Sequence, residues 1–173
     1  MEAIIYESNT GFTEKYAKLL TLETSLPCYT LKQAKKELKK GTDIVFLGWI
    51  MGGKISGLKK AKRRYKVKCI AGVGMDAPKN ESADYLIKKN KIKNVPTYYL
   101  QGGFNMSKLT GVYGFMMRTM LKSLQMQTNK TKDDIQFQKT LIHGLDKVRK
   151  ENLQLVIYEI NQANKQKQAA NDN

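Results

Sequence analysis

The 173-residue chain has one histidine, two cysteines and three prolines. A single histidine leaves no room for a histidine-based metal centre, and no His/Cys/Asp cluster carries metal-ligand spacing. Two cysteines build no disulfide framework. Cys28 and Cys69 fall in expected strands and read as apolar fillers rather than a redox pair. No stretch approaches the run of about 18 apolar residues that a membrane-crossing helix needs. Met1 to Tyr6 lacks the basic start of a secretory signal, so a reduced, cytoplasmic chain is expected. Acids are scarce as well: 15 Asp and Glu stand against 31 Lys and Arg, a formal net charge of +16. Such an excess calls for an anionic counterpart, whether nucleic acid, an acidic protein or a membrane surface. Nucleic acid is the weakest of the three, because the basic residues are not interleaved with stacking aromatics.

What is present is an alternation of short apolar runs and helical patterns. Strands are expected at Ala3 to Glu7, Pro27 to Thr30, Asp43 to Ile50, Val67 to Val73 and Val95 to Leu100. Ile44, Val45, Phe46 and Leu47 run without a polar break, as in a strand covered on both faces. Helices between strands imply an α/β fold with a parallel sheet. After residue 101 the rhythm breaks into a helical extension over 101–142, rich in methionine, and a last helix from Glu151 to Lys165. The expectation is one domain over residues 1–165 with a frayed tail over 166–173.

The loop Ser8-Asn9-Thr10-Gly11-Phe12-Thr13 follows the first strand and opens the first helix. It offers three hydroxyls, successive backbone N–H groups and the positive end of a helix, which together suit a phosphate without any lysine. The plainer alternative makes Thr13 an N-cap followed by Glu14. Neither G-x-x-x-x-G-K-[ST] nor G-x-G-x-x-G occurs.

These residues resemble the flavodoxin-like family, whose phosphate loop [ST]-x-T-G-x-T is matched by Ser8 to Thr13. Two further stretches are similar to the family's ring-flanking loops: Gly48 to Ile55 after the third strand, and Val73 to Pro78 after the fourth. The resemblance implies a doubly wound five-stranded sheet of order 2-1-3-4-5 and FMN as cofactor. It implies that Ser8, Asn9, Thr10, Gly11, Phe12 and Thr13 hold the phosphate. Trp49, Ile50, Met51, Gly52, Gly53, Gly74, Met75 and Asp76 would then line the ring. Within the family, the extension beginning at Gly102-Gly103 is most similar to flavodoxin-type, menaquinone-linked protoporphyrinogen oxidases and their uncharacterised relatives. That likeness implies an oxidoreductase meeting a quinone or tetrapyrrole at the membrane surface. A small FMN electron carrier docking on an acidic redox partner is the other expectation.

Charge distribution bears on both. Residues 32–68 hold 13 basic side chains and only Glu37 and Asp43 as acids. Right-handed crossovers would gather the second, third and fourth helices on one face, making it basic. His143, beside Gly144, reads as a helix C-terminal residue, and no side-chain acid or base stands out as a catalyst. The helix around Val112, Phe115, Met116, Met117 and Met120 is apolar on more than one face, which suits deep packing or a surface for lipid or substrate.

Overall fold

The computed structural model describes residues 1–171. Five parallel strands form the central sheet: β1 (Ala3–Glu7), β2 (Cys28–Thr30), β3 (Asp43–Met51), β5 (Lys66–Gly74) and β6 (Thr97–Gln101). Their order is β2-β1-β3-β5-β6, with the short β4 (Lys54–Ile55) folded back antiparallel on β3. This is a flavodoxin-like doubly wound sheet, and its direction of winding reverses between β1 and β3.

The two faces explain why β3 shows no alternation. Val45 and Leu47 point into a core with Ile4, Cys69, Ala71 and Val73, closed by Tyr16 and Leu20 of α1 (Phe12–Thr24) and by Val156 and Ile160 of α7 (Gln154–Asn171). Ile44 and Phe46 point the other way, onto α2 (Leu31–Glu37), α3 (Leu58–Arg64) and α4 (Ser82–Asn90) through Leu31, Leu58 and Leu86. Both faces are apolar because both are covered. Lysines crowd the outer sides of α2 and α3, and no ion pair joins any of them to an acid among the described residues. The basic face expected from the crossovers is therefore present.

The extension is not purely helical. After β6 the chain makes β7 (Gly103–Phe104), a short 3-10 turn, α5 (Gly111–Met126) and α6 (Lys132–His143), then β8 (Leu145–Asp146), which pairs antiparallel with β7. A third apolar cluster forms there around Phe104, Leu109 and Leu141, joined by Met117, Leu121, Leu124 and Phe137. α6 starts with a capping box between Thr131 and Asp134 and stops at Gly144, with His143 in its last turn. At the base of the extension, polar bonds join α1, the end of β6 and the segment after β8. Tyr16 Oη donates to Gln101 O at 2.5 Å, Asn152 Nδ2 donates to Tyr16 Oη at 2.6 Å, and Lys147 N donates to Gly102 O at 2.8 Å.

The last helix ends later than the expected Lys165. α7 continues through residues 166–171, and Lys167 reaches Glu2 at 3.4 Å while Asn164 accepts from the Met1 amino group at 2.5 Å. Those contacts join α7 to the two residues ahead of β1. Residues 172–173 lie outside the described residues.

Candidate functional site

Three connections after β1, β3 and β5 converge at the carboxyl ends of the strands, beside the reversal point where open α/β sheets bind ligands. The first is the Ser8–Thr13 loop. Gly11 stands at φ +94, open on its Cβ side, and lets the chain swing from strand to helix. Gly11, not Thr13, is the N-cap of α1, and the side chain that caps is Ser8. Its Oγ accepts from Gly11 N at 3.2 Å and Glu14 N at 3.4 Å. Lys18 pairs with Glu14 at 2.7 Å, while Glu7, just ahead of the loop, joins no ion pair among the described residues.

Thr13 is thereby free for another task. It is 1% exposed and its hydroxyl makes no hydrogen bond among the described residues. The N–H groups of Asn9, Thr10, Phe12 and Thr13 likewise find no internal acceptor. No buried side-chain nitrogen or oxygen among the described residues lacks a partner, so the Thr13 oxygen opens on the cleft and is not sealed in the core. Here hydroxyl and amides line one cleft at the positive end of a 13-residue helix. That donor set fits an anionic oxygen cluster such as a phosphate.

The second connection is a hairpin rather than a loop. β3 runs to Met51, Gly52 and Gly53 turn with φ of +53 and +76, and Lys54–Ile55 pair back on Met51 and Ile50. Two residues at positive φ are what a tight type I′ hairpin demands. Asn90 at the end of α4 braces this tip, donating from Nδ2 to Gly53 O at 2.8 Å and accepting from Ile55 N at 3.0 Å. The third connection, after β5, is pinned by β6. Tyr99 Oη donates to Asp76 O at 2.8 Å, Gly102 N donates to Gly74 O at 2.7 Å, and burial pushes the Tyr99 phenol up from its usual value.

Together these segments wall a cleft with two lobes. The inner lobe is lined by Ser8, Asn9, Thr10, Phe12, Thr13, Trp49, Ile50, Met51, Gly74 and Met75. The outer lobe shares Ile50, Met51, Gly74 and Met75 and adds Gly52, Gly53 and Asp76. Every residue expected at the site therefore lines the cleft except Gly11, which shapes the loop from behind. Trp49 is half-buried and stands edge-on to Tyr113 of α5, with ring centroids 5.3 Å apart at 82°.

Several lining residues have no counterpart in the sequence reading of the site. Gly103, Phe104, Leu109 and Tyr113 complete the inner lobe. Tyr85, Leu86, Tyr99 and Phe137 join the outer one, together with Lys79, Glu81 and Ser82. The excess of methionine in α5 was the available clue: Met117 lines both lobes, and Met116 and Met120 line the outer. The walls are largely apolar, and Asp76, Lys79 and Glu81 supply charge only in the outer lobe. The cleft therefore joins apolar walls to a set of unpaired donors at the Ser8–Thr13 end. Among the described residues, no group of three His, Cys, Asp or Glu side chains could hold a metal ion. No family model matches this chain, and no curated protein matches it significantly.

Proposed function

We propose that the protein binds FMN in this cleft and acts as a flavin-dependent oxidoreductase. The observation that carries the reading is the Thr13 hydroxyl, which opens on the cleft at the positive end of α1 with no protein partner, beside four unpaired amides and with Glu14 paired to Lys18. Thr10, Thr13 and the amides of Asn9, Phe12 and Thr13 would hold the phosphate, while Ser8 is spent on shaping the loop. Trp49, Met51, Gly74 and Met75 would flank the ring. Bound FMN supplies electron and hydride transfer, and the protein supplies binding, orientation and exclusion of water.

The α5–α6 extension favours an enzyme over a bare carrier. Leu109, Tyr113 and Met117 cover the inner lobe, and Met116, Met120, Phe137 and Tyr85 give the outer lobe an apolar wall. A carrier needs an exposed ring edge, whereas an apolar, covered antechamber suits a flat hydrophobic reactant such as a quinone or a tetrapyrrole of the protoporphyrinogen type. The second reading, a small FMN electron-transfer protein, is favoured by the unpaired lysines of α2 and α3, which would dock an acidic redox partner.

Titration of the purified protein with FMN, riboflavin and FAD tests the site. FMN should quench and bind far more tightly than riboflavin, because only FMN uses the cradle. Equal affinities for FMN and riboflavin would remove the basis of the assignment.

A further inference from the structure

We infer that α5 is a membrane-docking helix that seats the protein on an anionic bilayer with the outer lobe of the cleft facing the lipid. α5 has two apolar faces. Met117, Leu121 and Leu124 turn inward onto the third cluster. The opposite stripe is bare: Val112 is 79% exposed, Phe115 71% and Met126 76%, with Met116 and Met120 at 38% and 43%. Helical spacing puts Val112, Phe115, Met116 and Thr119 on successive turns of one side, and they line a shallow groove together with Met120 and Ser123. Monomeric proteins rarely leave such a continuous apolar stripe in water.

Charge selects the occupant. α5 contains no acid, and Arg118 and Lys122 follow one flank of the stripe. The one carboxylate in the groove, Asp134, is bound back to Thr131 at 2.7 Å. A second copy would bring another +16 chain and another Arg118 and Lys122 against the first, which repels. An anionic headgroup layer attracts those cations, and its acyl boundary takes the valine, phenylalanine and methionines. No helix among the described residues is long and apolar enough to cross a membrane, so the contact is a shallow one in the plane of the interface.

The placement has a consequence for the cleft. Met116 and Met120 wall both the exposed groove and the outer lobe. A lipid-soluble molecule could therefore pass from the acyl layer to the lobe along one apolar edge without crossing water.

The test is co-sedimentation with vesicles of equal parts phosphatidylglycerol and phosphatidylcholine, against vesicles of phosphatidylcholine alone. The wild-type protein should bind the anionic vesicles, and a fraction should stay bound at high salt. Val112→Ser with Phe115→Ser changes two side chains outside the core; circular dichroism should be unchanged while the partition coefficient falls about tenfold or more. Lys122→Gln should lower it about fivefold at low salt only. Undiminished binding by the serine variant overturns the proposal. So does a concentration-dependent dimer in sedimentation equilibrium that the serine variant abolishes, since a second copy would then cover the stripe. The assay needs no flavin, so its failure and a failure of the FMN reading are separate results.

Discussion

Replacing Thr13 by valine separates the phosphate cradle from every other part of the cleft. The side chain is 1% exposed and its hydroxyl bonds to nothing among the described residues, so valine keeps the shape and removes only the polar group. In the ligand-free protein the hydroxyl opens on the cleft and bonds to no protein group, so its loss should leave the melting temperature nearly unchanged. With FMN the hydroxyl would bond to a charged oxygen. Such bonds are worth roughly 1.5–3 kcal/mol, or about 10- to 150-fold in affinity. Four amides share the same anion, so the lower end, roughly tenfold, is expected. Riboflavin has no phosphate and should lose less than about twofold by the same reasoning. Flavin fluorescence titrations of wild type, Thr13→Val and Thr13→Ser measure this, with thermal melts of the free proteins alongside. The serine variant should recover most of the FMN affinity. An equal loss for both ligands would refute the cradle. A clear drop in the melting temperature of free Thr13→Val would refute the premise that the hydroxyl is unpartnered.

Two further outcomes follow from the fold. Gly53→Ala forces a Cβ into a residue at φ +76 and within 2.7 Å of the Tyr85 ring; urea melts should show a loss of about 1–3 kcal/mol, and outer-lobe ligands should bind less well as Tyr85 moves. Alkaline stability should fall early: burial pushes the Cys69 thiol from 9.0 up to about 12, and burial raises the Tyr16, Tyr98 and Tyr99 phenols too. A group raised on folding contributes its full stability below its unfolded pKa and loses it as pH climbs to the folded one. For Cys69 the loss is about 1.4 kcal/mol per pH unit. Denaturant melts from pH 9.0 upward should therefore decline, and less steeply in Cys69→Ala; equal slopes in the two proteins would contradict the burial argument.

Much of the architecture was legible in local pattern. The unbroken Ile44–Leu47 run required cover on both faces, and the structure places α1 and α7 on one side and α2, α3 and α4 on the other. Ser8–Thr13 could be read as a donor-rich turn because loop, glycine and helix start are neighbours in the chain. Other features were not legible. β4 is two residues long, too short to show periodicity, and only the pair of positive-φ glycines makes it a hairpin. That Ser8 caps α1, leaving Thr13 free, depends on the direction of one Oγ, which no residue pattern records.

The sequence by itself determined the layers, the strand positions, the basic face and the three segments that meet at the sheet's carboxyl edge, because each rests on contacts or periodicities between residues close in the chain. Tertiary structure decided what covers that edge. β7 and β8 pair Phe104 with Leu145 across the whole extension, and that pairing swings α5 over the cleft, sets Tyr113 against Trp49 and turns Met117 inward while Phe115 stays in solvent. A helix apolar on two sides carries no local signal of which side will be buried. Only the packing of Leu141, Phe137 and Phe104 against one of them makes the choice.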